Sequence, residues 1–187
     1  MTATLAPRRP RLIDVLGTLA SIAVVFVGAA ILLYALDALP ALVTGEPRHV
    51  RRAATIDEVE RRLRTRLVLP YYFPNTYVWP PRRIRFTVGP PAAAAVTAEG
   101  REAGRQLLVA ETLGAGRIPA PLLPDAQILY SSPIAVGSYR GTLSRVVEEG
   151  SMGWQITWEQ GGRTLLVRSR GTIEELLRIA RSAHEAQ

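Results

Sequence analysis

Hydrophobic positions along this chain follow two patterns. The first is a continuous run. Residues 16–36 read LGTLASIAVVFVGAAILLYAL, with no charged side chain. A helix of that length rises about 31 Å, which matches a hydrocarbon core of about 30 Å. Leu16, Ile22, Val25, Phe26, Ile31 and Leu36 are the side chains expected to meet lipid. Tyr34 stands near one end, where a ring with a polar tip favours the interface. The run exceeds the apolar region of a cleaved signal peptide, and no Ala-x-Ala site follows it. The pattern predicts one retained transmembrane helix.

Arg8, Arg9 and Arg11 precede the run, and the next arginine is Arg48. The positive-inside rule then predicts a short cytoplasmic tail over residues 1–15 and an extracytoplasmic C-terminal part. Residues 37–54 read as an interfacial segment broken at Pro40, followed by a linker. Arg48, Arg51 and Arg52 in that stretch offer contacts to lipid headgroups or lie in a solvated linker.

The second pattern is periodic and fills residues 55–187. Thr55-Ile-Asp-Glu58 is a capping box, and Ile56, Val59, Leu63 and Leu67 recur at helical spacing behind it. A helix of about 12 residues ending before Pro70 is expected. Alternation then marks a strand at 83–88, and residues 93–98, 105–112, 127–131 and 138–147 read as further strands. Met152, Trp154, Ile156 and Trp158 alternate into a Gly161-Gly162 turn, and residues 164–169 return as the second arm of a hairpin. Thr172-Ile-Glu-Glu175 repeats the capping box ahead of an apolar face at Ile173, Leu176, Leu177, Ala180 and Ala183. The expected fold is α+β: an antiparallel sheet of about six or seven strands covered by two helices.

Composition narrows the chemistry. The chain has no cysteine, so disulfides, thiolate nucleophiles and cysteine zinc sites are ruled out. All 23 basic residues are arginine, in keeping with a GC-rich coding background, and the net charge is +7. His49 and His184 lack any motif that would make either a base or a metal ligand. The glycines at 114, 116, 150 and 153 do not form a phosphate loop, because the chain has no lysine. Glu148 and Glu149 are neighbours in sequence and read as a solvated pair at a hairpin end. No nucleic-acid reading helix or stacking platform is apparent. Trp154 and Trp158 share a strand face, and Tyr72 and Trp79 lie in an aromatic, proline-rich stretch. These four mark either a ligand or partner surface or packed parts of the core.

Three passages resemble a known family. They are the first helix leading into Leu69-Pro-Tyr-Tyr-Phe-Pro74-Asn-Thr-Tyr77, the Trp158-Glu-Gln-Gly-Gly162 hairpin with Leu165 and Val167, and the closing helix over residues 172–183. Together they are similar to the uncharacterised extracytoplasmic C-terminal domain of bacterial anti-sigma-factor-like membrane proteins, across roughly residues 55–184. The resemblance implies a sensing or binding domain rather than an enzyme. The chain departs from that family before the apolar run, where about 15 residues without Cys or His replace a sigma-binding domain.

The sequence thus predicts a non-enzymatic, single-pass membrane protein with an extracytoplasmic domain. Its expected partners are the lipid bilayer and a protein or amphiphilic ligand, with no cofactor. The alternative is an accessory structural subunit of a larger membrane complex.

Overall fold

The computed structural model describes residues 22–32 and 49–184. They belong to two compact units, one within residues 1–48 and one from His49 onward. In the first, residues 22–32 form a helix, α1, with exposed side chains throughout. Ile22, Val25, Phe26 and Ile31 lie on it, whereas Leu16, Leu36 and Arg48 fall outside the described residues. Among the described residues no helix is long and apolar enough to cross a membrane. Over residues 22–32 α1 rises about 16 Å.

The second unit is α+β. Strand β1 (Val50–Ala53) leads into helix α2 (Ile56–Leu63) and the short β2 (Leu69–Pro70). Strands β3 (Arg83–Thr87), β4 (Ala93–Glu99) and β5 (Gln106–Thr112) follow as a meander. A loop with a single 3-10 turn at Ala120–Leu122 connects them to β6 (Gln127–Val136). Strands β7 (Tyr139–Glu148), β8 (Ser151–Gln160) and β9 (Arg163–Ser169) make a second meander. Helix α3 (Ile173–Arg181) and the short β10 (Ala183–His184) close the domain. The main sheet has eight strands in the order β1-β3-β4-β5-β9-β8-β7-β6, every pair antiparallel. β9 docks on β5 and so joins the two meanders into one sheet. β10 pairs with β2 in a separate two-stranded ribbon.

The sheet has more strands than alternation predicts because β1 is hidden in sequence. Val50-Arg-Arg-Ala53 falls in the stretch expected to be linker, and two arginines mask its period. It is an edge strand with one neighbour, β3, and its two arginines are exposed. An edge strand can carry charge outward without burying it, and such charge also discourages unwanted pairing. β1 belongs to the compact unit that runs from His49 onward.

Both sheet faces are covered. On one, α3 lays Leu176, Ile179 and Ala180 over Leu107, Val109, Ile156, Leu165 and Val167, all nearly or wholly buried. On the same face α2 packs Val59 against Ile84, Phe86 and Val96. The opposite face is covered by no helix of the described unit but by the long proline-containing loop, which drops Leu122 onto Ala93, Ala95, Leu108 and Leu166. This explains why β4 and β5 are buried on both sides and read as near-continuous apolar runs.

Capping sets the helix starts. Thr55 and Thr172 accept hydrogen bonds from the backbone N–H of Glu58 and Glu175, each at 3.2 Å. α2 stops sooner than its apolar spacing suggests. Arg64 adopts a left-handed conformation (φ 54°), and the Glu60 carboxylate accepts from the Leu67 N–H at 2.9 Å. The chain then turns down to the sheet, where the Val68 N–H donates to the buried Glu111 at 2.9 Å. A tertiary bond thus replaces the last helical turn.

Candidate functional site: a groove between α3 and the Tyr71–Tyr72 segment

Pro70 cannot continue a helix, so the chain leaves β2 extended and runs beside the end of α3. Ser182 fastens the two. Its carbonyl accepts from the Tyr71 N–H at 3.3 Å, and its hydroxyl accepts from the Tyr72 N–H at 3.2 Å while donating to the Ile179 carbonyl at 2.7 Å. Ser182 is buried, so these bonds are sheltered from water.

Between the two segments lies an open groove of about 480 Å³. Tyr71 and Tyr72 form one wall, Leu177 an apolar surface, and Glu174, Arg178 and Arg181 the polar side. Leu177 is half-buried against the core. Arg178 holds its guanidinium 5.4 Å from the centre of the Tyr72 ring and donates to the phenol oxygen at 3.3 Å. That contact orients the cation along an aromatic face, where cation–π attraction holds it. Arg178 and Arg181 are three apart on one helix and emerge on the same side. With one carboxylate against two guanidiniums, the groove carries an excess positive charge beside an apolar wall.

The aromatic residues singled out in the sequence separate in the structure. Tyr72 lines the groove. Trp79 does not; it is 43% exposed and stacks on Phe73 at 4.1 Å between ring centres. Trp154 is half-buried on β8, with Arg145 4.3 Å above its ring and Tyr130 edge-on at 6.0 Å. Trp158 takes the packed alternative: it is 2% exposed in the main core, and its indole N–H donates to Gln160 at 3.2 Å. Trp154 and Trp158 do share a face, but the core engulfs only the second. Arg51 and Arg52 are exposed on β1.

Arg178, Arg181 and Ser182 escape sequence reasoning. Their helical spacing is visible, but the partner wall lies about a hundred residues upstream, and only the fold brings it alongside.

Comparison with family models, with curated proteins and with solved structures returns no match.

Three other polar clusters serve the fold. Arg168, 7% exposed, donates to Gln155 at 2.8 and 3.0 Å, to Glu148 at 3.0 Å and to the Pro124 carbonyl at 3.0 Å. It ties β7, β8 and the covering loop to β9. Glu148 is therefore not one of a solvated pair: its side chain is mostly covered beside Arg168, and only Glu149 is exposed, 3.5 Å from Arg170. Their side chains diverge because Glu149 turns left-handed (φ 50°) at the hairpin end. In the second cluster Tyr77 shares a 2.6 Å hydrogen bond with Ser169, and Arg105 pairs with Glu175 at 2.8 Å. Burial holds the Tyr77 phenol above its usual range, which keeps it neutral and a poor base. The third centres on Glu111, whose carboxyl burial pushes up to about 7 against the pull of the Val68 N–H and Arg163. Among the described residues, no three carboxylate or imidazole side chains group as metal ligands.

Proposed function

We propose that the protein is a non-enzymatic, single-pass membrane module. Its extracytoplasmic domain binds an amphiphilic ligand in the groove between Tyr72 and Arg178. The groove carries this proposal: it sets two guanidiniums and one aromatic wall beside the half-buried Leu177. An anionic head would meet Arg178 and Arg181, and an apolar body would lie along Tyr72 and Leu177. The uncharged run over residues 16–36 supports the anchor, and Arg8, Arg9 and Arg11 support the sidedness.

The test uses the full chain in neutral detergent, titrated with dodecyl phosphate below its micellar concentration. Saturable binding is expected, weakened at least about tenfold by Tyr72→Ala with Arg178→Ala, since a charged contact and an aromatic wall are each worth about 1 kcal/mol. Non-saturable uptake, or equal binding by the variant, refutes the groove. A reporter active only in the cytoplasm, fused at the C-terminus, refutes the sidedness if it is active.

The alternative role, an accessory subunit of a larger membrane complex, draws support from β6. This ten-residue edge strand exposes Ile128, Leu129 and Tyr130 beside a register shift. An exposed apolar edge is a template for pairing with another chain. Migration of the native full chain at monomer mass in membrane extracts would count against that role.

A further inference from the structure

The net positive charge of the domain comes from one corner. Residues 49–66 and 82–85 carry nine arginines and three carboxylates, whereas the rest of residues 49–187 carries ten of each. The fold gathers the first set. β1 pairs with β3 at the sheet edge, and α2 packs on that same end, with Arg62 5.9 Å from the Phe86 ring. Arg51, Arg61, Arg64, Arg66 and Arg82 are all exposed there. Two of the three carboxylates are already engaged. Glu58 accepts from the Ala54 N–H at 3.0 Å and pairs with Arg62 at 2.8 Å, and Glu60 accepts from Leu67. Arg83 also reaches Glu99 at 3.5 Å and Arg85 donates to the Leu122 carbonyl at 2.9 Å, so the outward cationic surface is that of Arg51, Arg61, Arg64, Arg66 and Arg82.

We propose that this β1–α2 corner docks on anionic phospholipid headgroups. Charge complementarity is the first reason. The second is position in the chain: only 13 residues separate Leu36, the end of the apolar run, from Val50, the first residue of the corner. A tether that short keeps the corner at high effective concentration near any bilayer the run enters. Each arginine close to an anionic surface gains on the order of a few-fold in partition, and several act together. Docking would fix which way the domain faces. The lipid contact deepens the membrane assignment proposed above, but it can fail separately from it.

The test reconstitutes the full chain into nanodiscs of phosphatidylcholine alone or with about one third phosphatidylglycerol. Amide exchange in β1 and α2 is then followed. Incorporation into neutral discs tests the anchor by itself. Slower exchange of the β1 and α2 amides only in the phosphatidylglycerol discs, reversed by 0.5 M salt, is the expected result. Arg51→Glu, Arg61→Glu and Arg66→Glu together should abolish it. Arg101→Glu, Arg117→Glu and Arg140→Glu, an equal charge change at exposed sites elsewhere, should leave it intact. If the chain does not enter discs, co-sedimentation with vesicles of the same compositions reads the corner alone. There, the first triple variant should bind phosphatidylglycerol roughly 100-fold more weakly. Equal protection or binding in both lipids, or equal loss in the two triple variants, overturns the proposal. So does preference for a polyanion such as heparin over the phosphatidylglycerol membrane.

Discussion

Replacing Glu111 with glutamine should change how the stability of the domain depends on pH. Glu111 sits on β5 beneath the turn that ends α2, 3% exposed. Its carboxylate accepts from the Val68 N–H at 2.9 Å and lies 3.4 Å from Arg163 of β9. Arg163 also donates to the Arg66 carbonyl at 2.9 Å and to the Thr65 hydroxyl at 3.2 Å. Burial outweighs these bonds, and Glu60 of α2 adds repulsion, so the folded value rises from 4.5 to about 7. A raised carboxyl value means that the native state holds its proton more tightly than the unfolded chain. The contribution is thus fully present below about pH 4.5 and is lost as the pH rises through about 7. A rise of about 2.5 units at 1.36 kcal/mol each amounts to ~3 kcal/mol. For a domain of this size, that is a fall in Tm of roughly 10 °C between pH 4.5 and 8.

Other carboxylates pull the opposite way; Glu58 is held below its usual range by the Ala54 N–H. The informative quantity is therefore the difference between wild type and Glu111→Gln, measured by urea unfolding at steps from pH 4.5 to 8.5. The glutamine keeps an oxygen for Val68 but no longer titrates. Relative to wild type, the variant should gain ~3 kcal/mol across that window. Parallel profiles for the two proteins would show that the Glu111 carboxyl titrates alike in folded and unfolded chains, and the account of its burial would be wrong.

Further outcomes follow from packing and charge burial. Gly153→Ala should lower stability by about 1–3 kcal/mol, because a Cβ there would meet the Ser169 carbonyl oxygen at 2.9 Å across the β8–β9 pair; an unchanged urea midpoint would refute it. Arg168→Ala should cost about 2–4 kcal/mol, since it leaves the buried Gln155 and the partly covered Glu148 carboxylate without their donor. The same change should quicken amide exchange in residues 120–125, where the Pro124 carbonyl loses its donor; exchange there as slow as in wild type would show that the covering loop does not depend on Arg168.

Much of the fold is legible in local pattern. Thr55 and Thr172 announce both helix starts, since each threonine hydroxyl accepts from the N–H of the glutamate three residues on. Alternation finds β3 and β8 because one side of each must be apolar, whereas β4 and β5, covered on both faces, read as apolar runs. The Gly161-Gly162 turn closes the β8–β9 hairpin with positive φ at both residues (58° and 74°). Each of these signals acts within a few residues of itself.

What only the tertiary structure decided depends on residues far apart in the chain. β1 reads as linker because its arginines are tolerable only at a sheet edge, and no local pattern says where the edge will be. α2 ends early because Glu111, more than forty residues later, claims the Val68 N–H. Trp158 is buried and Trp154 partly exposed although they share a strand face, because the core ends between them. Glu148 looks solvated until β9 brings Arg168 to it. The groove and the cationic corner are likewise assembled across the fold: each joins an amphipathic helix, readable by its period, to a distant segment with no pattern of its own. Sequence fixes which side chains a helix can present; long-range packing fixes what stands opposite them.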